Sequence, residues 1–259
     1  MSSHLRVTVV QTEIAWQAPA TNRRALAAHL RGLLGHTDLI VLPEMFSTGF
    51  SMDAEGLAET MDGPTVGWMR EEAAATGCVI TGSLIVRDGD HCYNRLVWAR
   101  PDGTLDHYDK RHLFRMANEQ RHYAAGSRRL IVELKGWRLC PLICYDLRFP
   151  VWSRSWGDYE VLLYVANWPQ RRAHAWSTLL KARAIENLSY VVGVNRIGKD
   201  GNGATYAGDS VVLDFLGQPL TSEGGGDRVE TAVLDLESLQ KYREAFPAHL
   251  DADRYEIVD

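Results

Sequence analysis

The chain has 259 residues, 46% of them hydrophobic and 24% charged, and its 28 basic and 33 acidic side chains give a formal net charge of −5. That length accommodates one large α/β domain with a sizeable core, and the composition is that of an ordinary globular protein. The acidic balance argues against a nucleic-acid-binding surface, and no run approaches the roughly 18 uninterrupted apolar residues of a membrane span.

At the N-terminus, Met1-Ser2-Ser3-His4 leads directly into a strand-like run at 5–10. It lacks the charged-then-apolar layout of a signal peptide, so a cytoplasmic location is expected. Further short runs rich in Val, Ile, Leu and Tyr follow at 38–42, 78–86, 93–98, 104–108, 130–134, 137–143, 161–165, 190–195, 210–213 and 230–234. Helical periodicity falls between some of them. Leu26, Leu30, Leu33 and Leu34 stand at i, i+4, i+7 and i+8, one apolar face of a first helix. A second is predicted over 65–76, with Gly77 as its C-terminal stop. Trp176, Leu180, Ala184 and Leu188 mark a third, and a fourth begins near Asp235.

Arg87-Asp88-Gly89-Asp90 and Pro101-Asp102-Gly103 carry the turn chemistry of hairpin connections. Asp200-Gly201-Asn202-Gly203 and Glu223-Gly224-Gly225-Gly226-Asp227 are read as hairpin loops too. Neither is followed by a helix with the Lys-Ser/Thr pair of a phosphate loop. With no Pro/Ser-rich linker and no repeat, residues 1–259 form one mixed α/β domain.

The four cysteines, Cys78, Cys92, Cys140 and Cys144, offer neither a CxxC pair nor zinc spacing. Four residues along a strand span about 13 Å, beyond the roughly 7 Å limit for a disulfide, so Cys140 and Cys144 are expected to be reduced. Cys140 is expected to be core packing.

Three segments end an apolar strand on an abrupt ionisable residue. In Asp38-Leu39-Ile40-Val41-Leu42-Pro43-Glu44-Met45-Phe46, Glu44 stands just past a proline among apolar neighbours, where a buried carboxylate suits a general base. Tyr108-Asp109-Lys110-Arg111-His112-Leu113-Phe114 places Lys110 at a strand exit. Cys140-Pro141-Leu142-Ile143-Cys144-Tyr145-Asp146-Leu147-Arg148-Phe149-Pro150 brings a thiol to the point where a strand surfaces. Each alone has a bland reading: a solvated glutamate, a charged strand exit, a small core hydrophobe. Together they supply a nucleophile, a base and a cation at strand ends, which in an α/β sheet can converge on one rim.

These three segments, in this order, resemble the Glu, Lys and Cys motifs of the nitrilase (carbon–nitrogen hydrolase) superfamily. Supporting matches run from Leu5-Arg6-Val7-Thr8-Val9-Val10-Gln11 to Gly208-Asp209-Ser210, so the resemblance covers essentially the whole chain. Glu119, in Glu119-Gln120-Arg121-His122-Tyr123-Ala124-Ala125-Gly126, fits the fourth acidic residue of the family. Tyr164-Val165-Ala166-Asn167-Trp168-Pro169 and Tyr242-Arg243-Glu244-Ala245-Phe246-Pro247 resemble the bacterial omega-amidase branch, similar to Nit-type proteins.

The resemblance implies an αββα sandwich and a cofactor-free, metal-free thiol amidase acting on 2-oxoglutaramate or 2-oxosuccinamate. It implies Cys144 as nucleophile, Glu44 as base and acid, and Lys110 with the Tyr145 backbone N–H at the oxyanion. Glu119 would orient Lys110 or the substrate amide. Phe46, Phe50, Tyr145 and Trp168 are candidate pocket walls, and Arg148, Arg171 and Arg172 candidate partners for the substrate carboxylate, with a surface or structural ion pair the favoured reading of Arg171 and Arg172. The partner is a small-molecule amide, with no nucleic acid or membrane, and a homodimer is expected. The alternatives are the same triad acting on a nitrile, an N-carbamoyl amine or an aliphatic amide, or a catalytically silent binding protein.

Overall fold

Two sheets carry the architecture, seen in a computed structural model that describes residues 3–222, 224–253 and 255–257. Met1 and Ser2 of the N-terminal reading, and Glu223 of the second glycine loop, lie outside the described residues. In chain order the first half gives β1 (His4–Gln11), α1 (Pro19–Leu30), β2 (Leu39–Val41), α2 (Ala54–Leu57), α3 (Pro64–Thr76), β3 (Val79–Asp88), β4 (His91–Ala99) and β5 (Leu105–Asp109). The second half gives β6 (Val132–Leu134), β7 (Trp137–Ile143), α4 (Pro150–Ser153), β8 (Val161–Ala166), α5 (Ala173–Asn187) and β9 (Tyr190–Asn195). It closes with β10 (Ile197–Lys199), β11 (Thr205–Ala207), β12 (Val211–Leu213), β13 (Arg228–Asp235) and α6 (Leu236–Ala245).

One sheet has the order β13-β1-β2-β3-β4-β5 and the other β12-β9-β8-β7-β6. In the first, β1, β2 and β3 are mutually parallel, and two antiparallel steps through β4 bring β5 into the same direction as β3. In the second, β7, β8 and β9 are parallel. β6 pairs only as far as Leu139, so β7 is an edge from Cys140 onward, where Pro141 is tolerated.

Strand alternation sorts the side chains into layers. Leu39 and Val41 of β2 join Val7, Val9, Trp98, Leu139 and Val192 in the core between the sheets. Ile40 and Leu42 point the other way and pack with Leu26, Leu30, Val66 and Met69 beneath α1 and α3. α5 covers the outer face of the second sheet against β9 and β12, with Trp176, Leu180 and Ala184 buried. The result is the four-layer αββα sandwich that the resemblance implied.

Local signals set several boundaries. Gly77 ends α3 in the left-handed region at φ 66°, and Asp235 caps α6 by accepting the N–H groups of Glu237 and Ser238. Gly89 and Gly103 turn the β3–β4 and β4–β5 hairpins, and 200–203 joins β10 to β11.

Three expectations are corrected. α1 stops at Leu30, so Leu34 is exposed rather than part of an apolar helix face. Leu188 is buried, but it caps α5 in the left-handed region instead of continuing it. Residues 224–227 are not a hairpin loop, because β12 and β13 belong to different sheets and the segment crosses between them. Gln11 holds that crossing by donating to the carbonyls of Gly224 and Gly226. None of the described helices is long and apolar enough to cross a membrane.

Candidate active site

The carboxyl ends of strands from both sheets meet on one rim. Glu44 follows β2, Lys110 follows β5, Cys144 follows β7, and Asn167 follows β8. Each is placed by a specific contact. Ser83 of β3 fixes the turn after β2: its hydroxyl accepts the Met45 N–H at 2.9 Å and its carbonyl the Phe46 N–H at 3.1 Å. Met45 itself sits at φ 43°, a conformation non-glycine residues rarely adopt.

Lys110 is held at the exit of β5 from both sides. Its N–H donates to the Asn94 carbonyl, and its own carbonyl accepts the N–H of Gly126, both at 3.0 Å. A Cβ at Gly126 would lie 2.1 Å from the Asp109 oxygen, so only glycine permits this approach.

Cys144 opens a 3-10 turn directly after β7, at φ 44°. Asp146, fully buried, ties that turn to the Lys110 segment. Its carboxylate accepts from the Ile143 N–H at 3.0 Å, the His112 N–H at 3.0 Å and the Tyr108 hydroxyl at 2.8 Å, and it pairs with His112 Nδ1 at 2.7 Å. Strain at the thiol-bearing residue is therefore over-determined by its surroundings. The Tyr145 N–H lies in the first turn of this segment, where amide groups have no intrahelical partner.

The four candidate groups form one cluster. Lys110 Nζ donates to Glu44 Oε1 at 2.9 Å and to both Glu119 oxygens at 3.0 Å, all three side chains being essentially inaccessible. Asn94 Nδ2 bridges the same carboxylates, at 2.8 Å to Glu44 and 3.3 Å to Glu119. Glu44 Oε2 accepts the Asn167 N–H at 2.7 Å, and the Asn167 amide donates to the Glu44 carbonyl at 2.6 Å. Glu119 also receives the Phe114 N–H at 2.5 Å. Cys144 lines the same pocket as Lys110 and Asn167, with the Glu44 carboxylate near enough to act on its thiol.

Burial pushes the Cys144 thiol well above the ordinary range, the Glu44 charge adds to this, and Lys110 opposes it. The resting group is therefore a protonated thiol with a carboxylate beside it. Burial works against the Lys110 charge, but Glu119, Glu44 and Cys144 outweigh it and hold the ammonium above its usual pKa. Burial likewise raises Glu119, ahead of the opposing pull of Lys110. Cys140, fully buried, is pushed up to about 12 by desolvation, and all four cysteines are free thiols. Cys144 is thus set apart by its neighbours and its access to the pocket, not by a lowered pKa.

The structure places the other sequence candidates around this cluster. The Phe50 ring lies 5.1 Å from Lys110 Nζ, and Phe50, Tyr145, Arg148 and Trp168 all line the narrow pocket above Cys144, whereas Phe46 is fully buried in the core beneath α1 and α3 and is no pocket wall. Arg148 is exposed and stacks over Trp168 at 5.0 Å. Sequence reasoning assigned no role to Asn94, Asp146, His112, Asn167 or Tyr206. The only prior signal for Asn94 is a polar residue among apolar ones in a central strand. Tyr206 completes the pocket, held by Asp200 at 2.7 Å and by Arg196 against its ring. Among the described residues no group of three or more His, Cys, Asp or Glu side chains is arranged to hold a metal.

Comparisons with known proteins agree on what the chain resembles. The family model described as carbon-nitrogen hydrolase matches residues 6–244. Omega-amidase YafV of Yersinia enterocolitica is 48% identical, over 99% of this chain and 100% of the relative. A 2-oxoglutaramate amidase of Bacillus subtilis is 32% identical, over 95% of this chain and 96% of the relative. A crystal structure of a CN-hydrolase superfamily protein from Xanthomonas campestris, with an arsenic adduct in its active site, superposes with a TM-score of 0.97. It is 50% identical and both chains are covered completely.

Proposed function

This chain belongs to the carbon–nitrogen hydrolase family and is a hydrolase acting on amides, and we propose that it cleaves the terminal amide of 2-oxo dicarboxylic acid monoamides such as 2-oxoglutaramate and 2-oxosuccinamate. The activities named for the Yersinia and Bacillus relatives support that substrate class. The observation that carries the mechanism is the buried Lys110 ammonium bridging Glu44 and Glu119 in a pocket it shares with the Cys144 thiol.

Glu44 takes the Cys144 proton as sulfur attacks the amide carbon. The carbonyl oxygen becomes an oxyanion, met by the Lys110 ammonium and the Tyr145 N–H, donors that need no reorganisation when charge develops. Collapse of the tetrahedral species expels the amine with the proton from Glu44, leaving ammonia and a Cys144 thioester. Glu44 then deprotonates a water that attacks the thioester. The second tetrahedral species expels Cys144 and releases the 2-oxo dicarboxylate, and the thiol regains its proton. Glu119 holds Lys110 through two hydrogen bonds, so the ammonium stays fixed while Glu44 changes protonation. Two carboxyls, an ammonium and a thiol in contact titrate as a unit.

Ammonia release from 2-oxoglutaramate, glutamine and a simple nitrile tests the substrate. A kcat/KM for 2-oxoglutaramate at least about 100-fold above the other two supports the reading, equal to about 2.7 kcal/mol of discrimination. Preference for the nitrile or for glutamine overturns it. We also propose that the chain pairs into a homodimer. Sedimentation at twice the 29.1 kDa chain mass supports this, and sedimentation at a single chain mass refutes it.

A further inference from the structure

Two arginines line one wall of the pocket, and a third, Arg171, stands beside them but outside it. Arg148 ends the 3-10 turn that Cys144 opens, and Arg171 and Arg172 precede α5. Arg148 and Arg172 both line the pocket that contains Cys144. Among the described residues neither forms an ion pair, which corrects the sequence expectation for Arg172. The cations acting on it are Arg171 and Arg148.

The Arg172 guanidinium is nevertheless held in place. It lies 5.5 Å over the Phe114 ring, and its Nη2 donates to Met116 Sδ at 2.8 Å. The Arg172 carbonyl accepts the Trp168 indole N–H at 2.9 Å, which fixes the backbone against the pocket wall. Its Nη1 is buried and has no hydrogen-bond partner. A buried charged donor left unpaired is costly, and so is crowding like charges without a counter-ion. Both costs are relieved if an anion enters from the pocket.

Resting on the substrate reading above, we infer that Arg172 anchors the free carboxylate of the substrate, with Arg148 on the Trp168 ring as the second donor. A planar guanidinium offers the forked N–H geometry that a carboxylate accepts. The amide carbon must meanwhile sit at Cys144, so the site grips the substrate at both ends. Amides without a distal carboxylate lose the anchor and leave Arg172 unpaired. The site thus selects against simple aliphatic amides by a penalty as well as by a missing attraction.

The test compares wild type, Arg172→Gln, Arg172→Lys and Arg171→Gln, measuring kcat and KM for 2-oxoglutaramate and competitive inhibition by 2-oxoglutarate. Arg172→Gln is expected to raise KM and the inhibition constant together, by about 10- to 100-fold, the range for a hydrogen bond to a charged group. Its kcat at saturation stays within about threefold, because the anchor acts in ground state and transition state alike. Arg172→Lys, which keeps the charge but loses the fork, falls between; it decides by the same criterion if the Gln variant does not fold. Arg171→Gln, at an exposed position outside the pocket around Cys144, tracks wild type. An Arg172 variant with KM and inhibition constant unchanged, or with kcat lost at constant KM, overturns the anchor alone. Wild type that hydrolyses neutral amides but not 2-oxoglutaramate overturns the substrate reading and the anchor with it.

Discussion

Lys110→Met removes the single cation from a cluster that holds two buried carboxylates, and its consequences can be worked from the geometry. The side chain keeps its length and loses three hydrogen bonds, one to Glu44 and two to Glu119. Asn94 then remains as the shared donor between the carboxylates. Breaking a buried ion pair by deleting one partner costs about 3–5 kcal/mol. For a domain of this size that lowers Tm by about 10 °C. Loss of one oxyanion donor lowers kcat by about 10²–10³.

The stability loss should depend on pH. Burial already raises the Glu119 carboxyl, with Lys110 pulling it down and Glu44 pushing it up. Without the ammonium it rises further. A carboxyl with a raised folded pKa binds more protons folded than unfolded, so stability falls as pH climbs from the ordinary glutamate value of about 4.3 through the raised one. Thermal unfolding of both proteins at pH 5 and pH 8 is the assay, with ammonia release alongside. The Tm deficit of the variant should be larger at pH 8. An equal deficit at both pH values, or a kcat loss below about tenfold, would refute this account of the cluster.

Other substitutions probe the scaffold that aims these groups. Gly126→Ala drives a methyl to 2.1 Å from the Asp109 oxygen, so the end of β5 and Lys110 must shift; kcat should fall by more than about 10-fold, since a displacement near 1 Å costs about 10². Gly67→Ala, in α3 with nothing within 4 Å of the added carbon, should instead stabilise by about 0.5–1 kcal/mol with activity unchanged. Asp146→Asn turns one acceptor oxygen into a donor facing the N–H groups and hydroxyl it now serves. Denaturant unfolding should show a loss of about 1–3 kcal/mol, and ammonia assays a lower kcat with KM little changed.

The sequence made the candidate reacting groups legible because each stands at a strand exit, where an apolar run breaks abruptly. Glu44, Lys110 and Cys144 all stand one to three residues past the last residue of a strand. The same pattern separated Cys144 from Cys140, which is fully enclosed within β7. What it could not supply were partners brought together by the packing of one sheet on the other. Asn94 lies mid-strand in β4, and nothing in its own segment says that its amide faces two carboxylates 25 and 50 residues away. Asp146 and His112 are polar residues in motifs already noted, but their bond joins two segments 34 residues apart. Arg172 looked like a surface charge because periodicity cannot show a buried guanidinium nitrogen without a partner. The second glycine loop departs from its expected hairpin for a related reason, since turn chemistry does not tell a hairpin from a crossing between sheets.

The proposed mechanism turns on a covalent acyl intermediate at Cys144, with Glu44 moving its proton. Acid quenching during turnover of 2-oxoglutaramate, followed by peptide mass analysis, reads it directly. Wild type should carry an adduct of substrate minus ammonia on the peptide with Cys144, absent from Cys78, Cys92 and Cys140, and Cys144→Ala should release no ammonia. Ammonia release by Cys144→Ala at near wild-type rate, or an adduct on another cysteine, would contradict it.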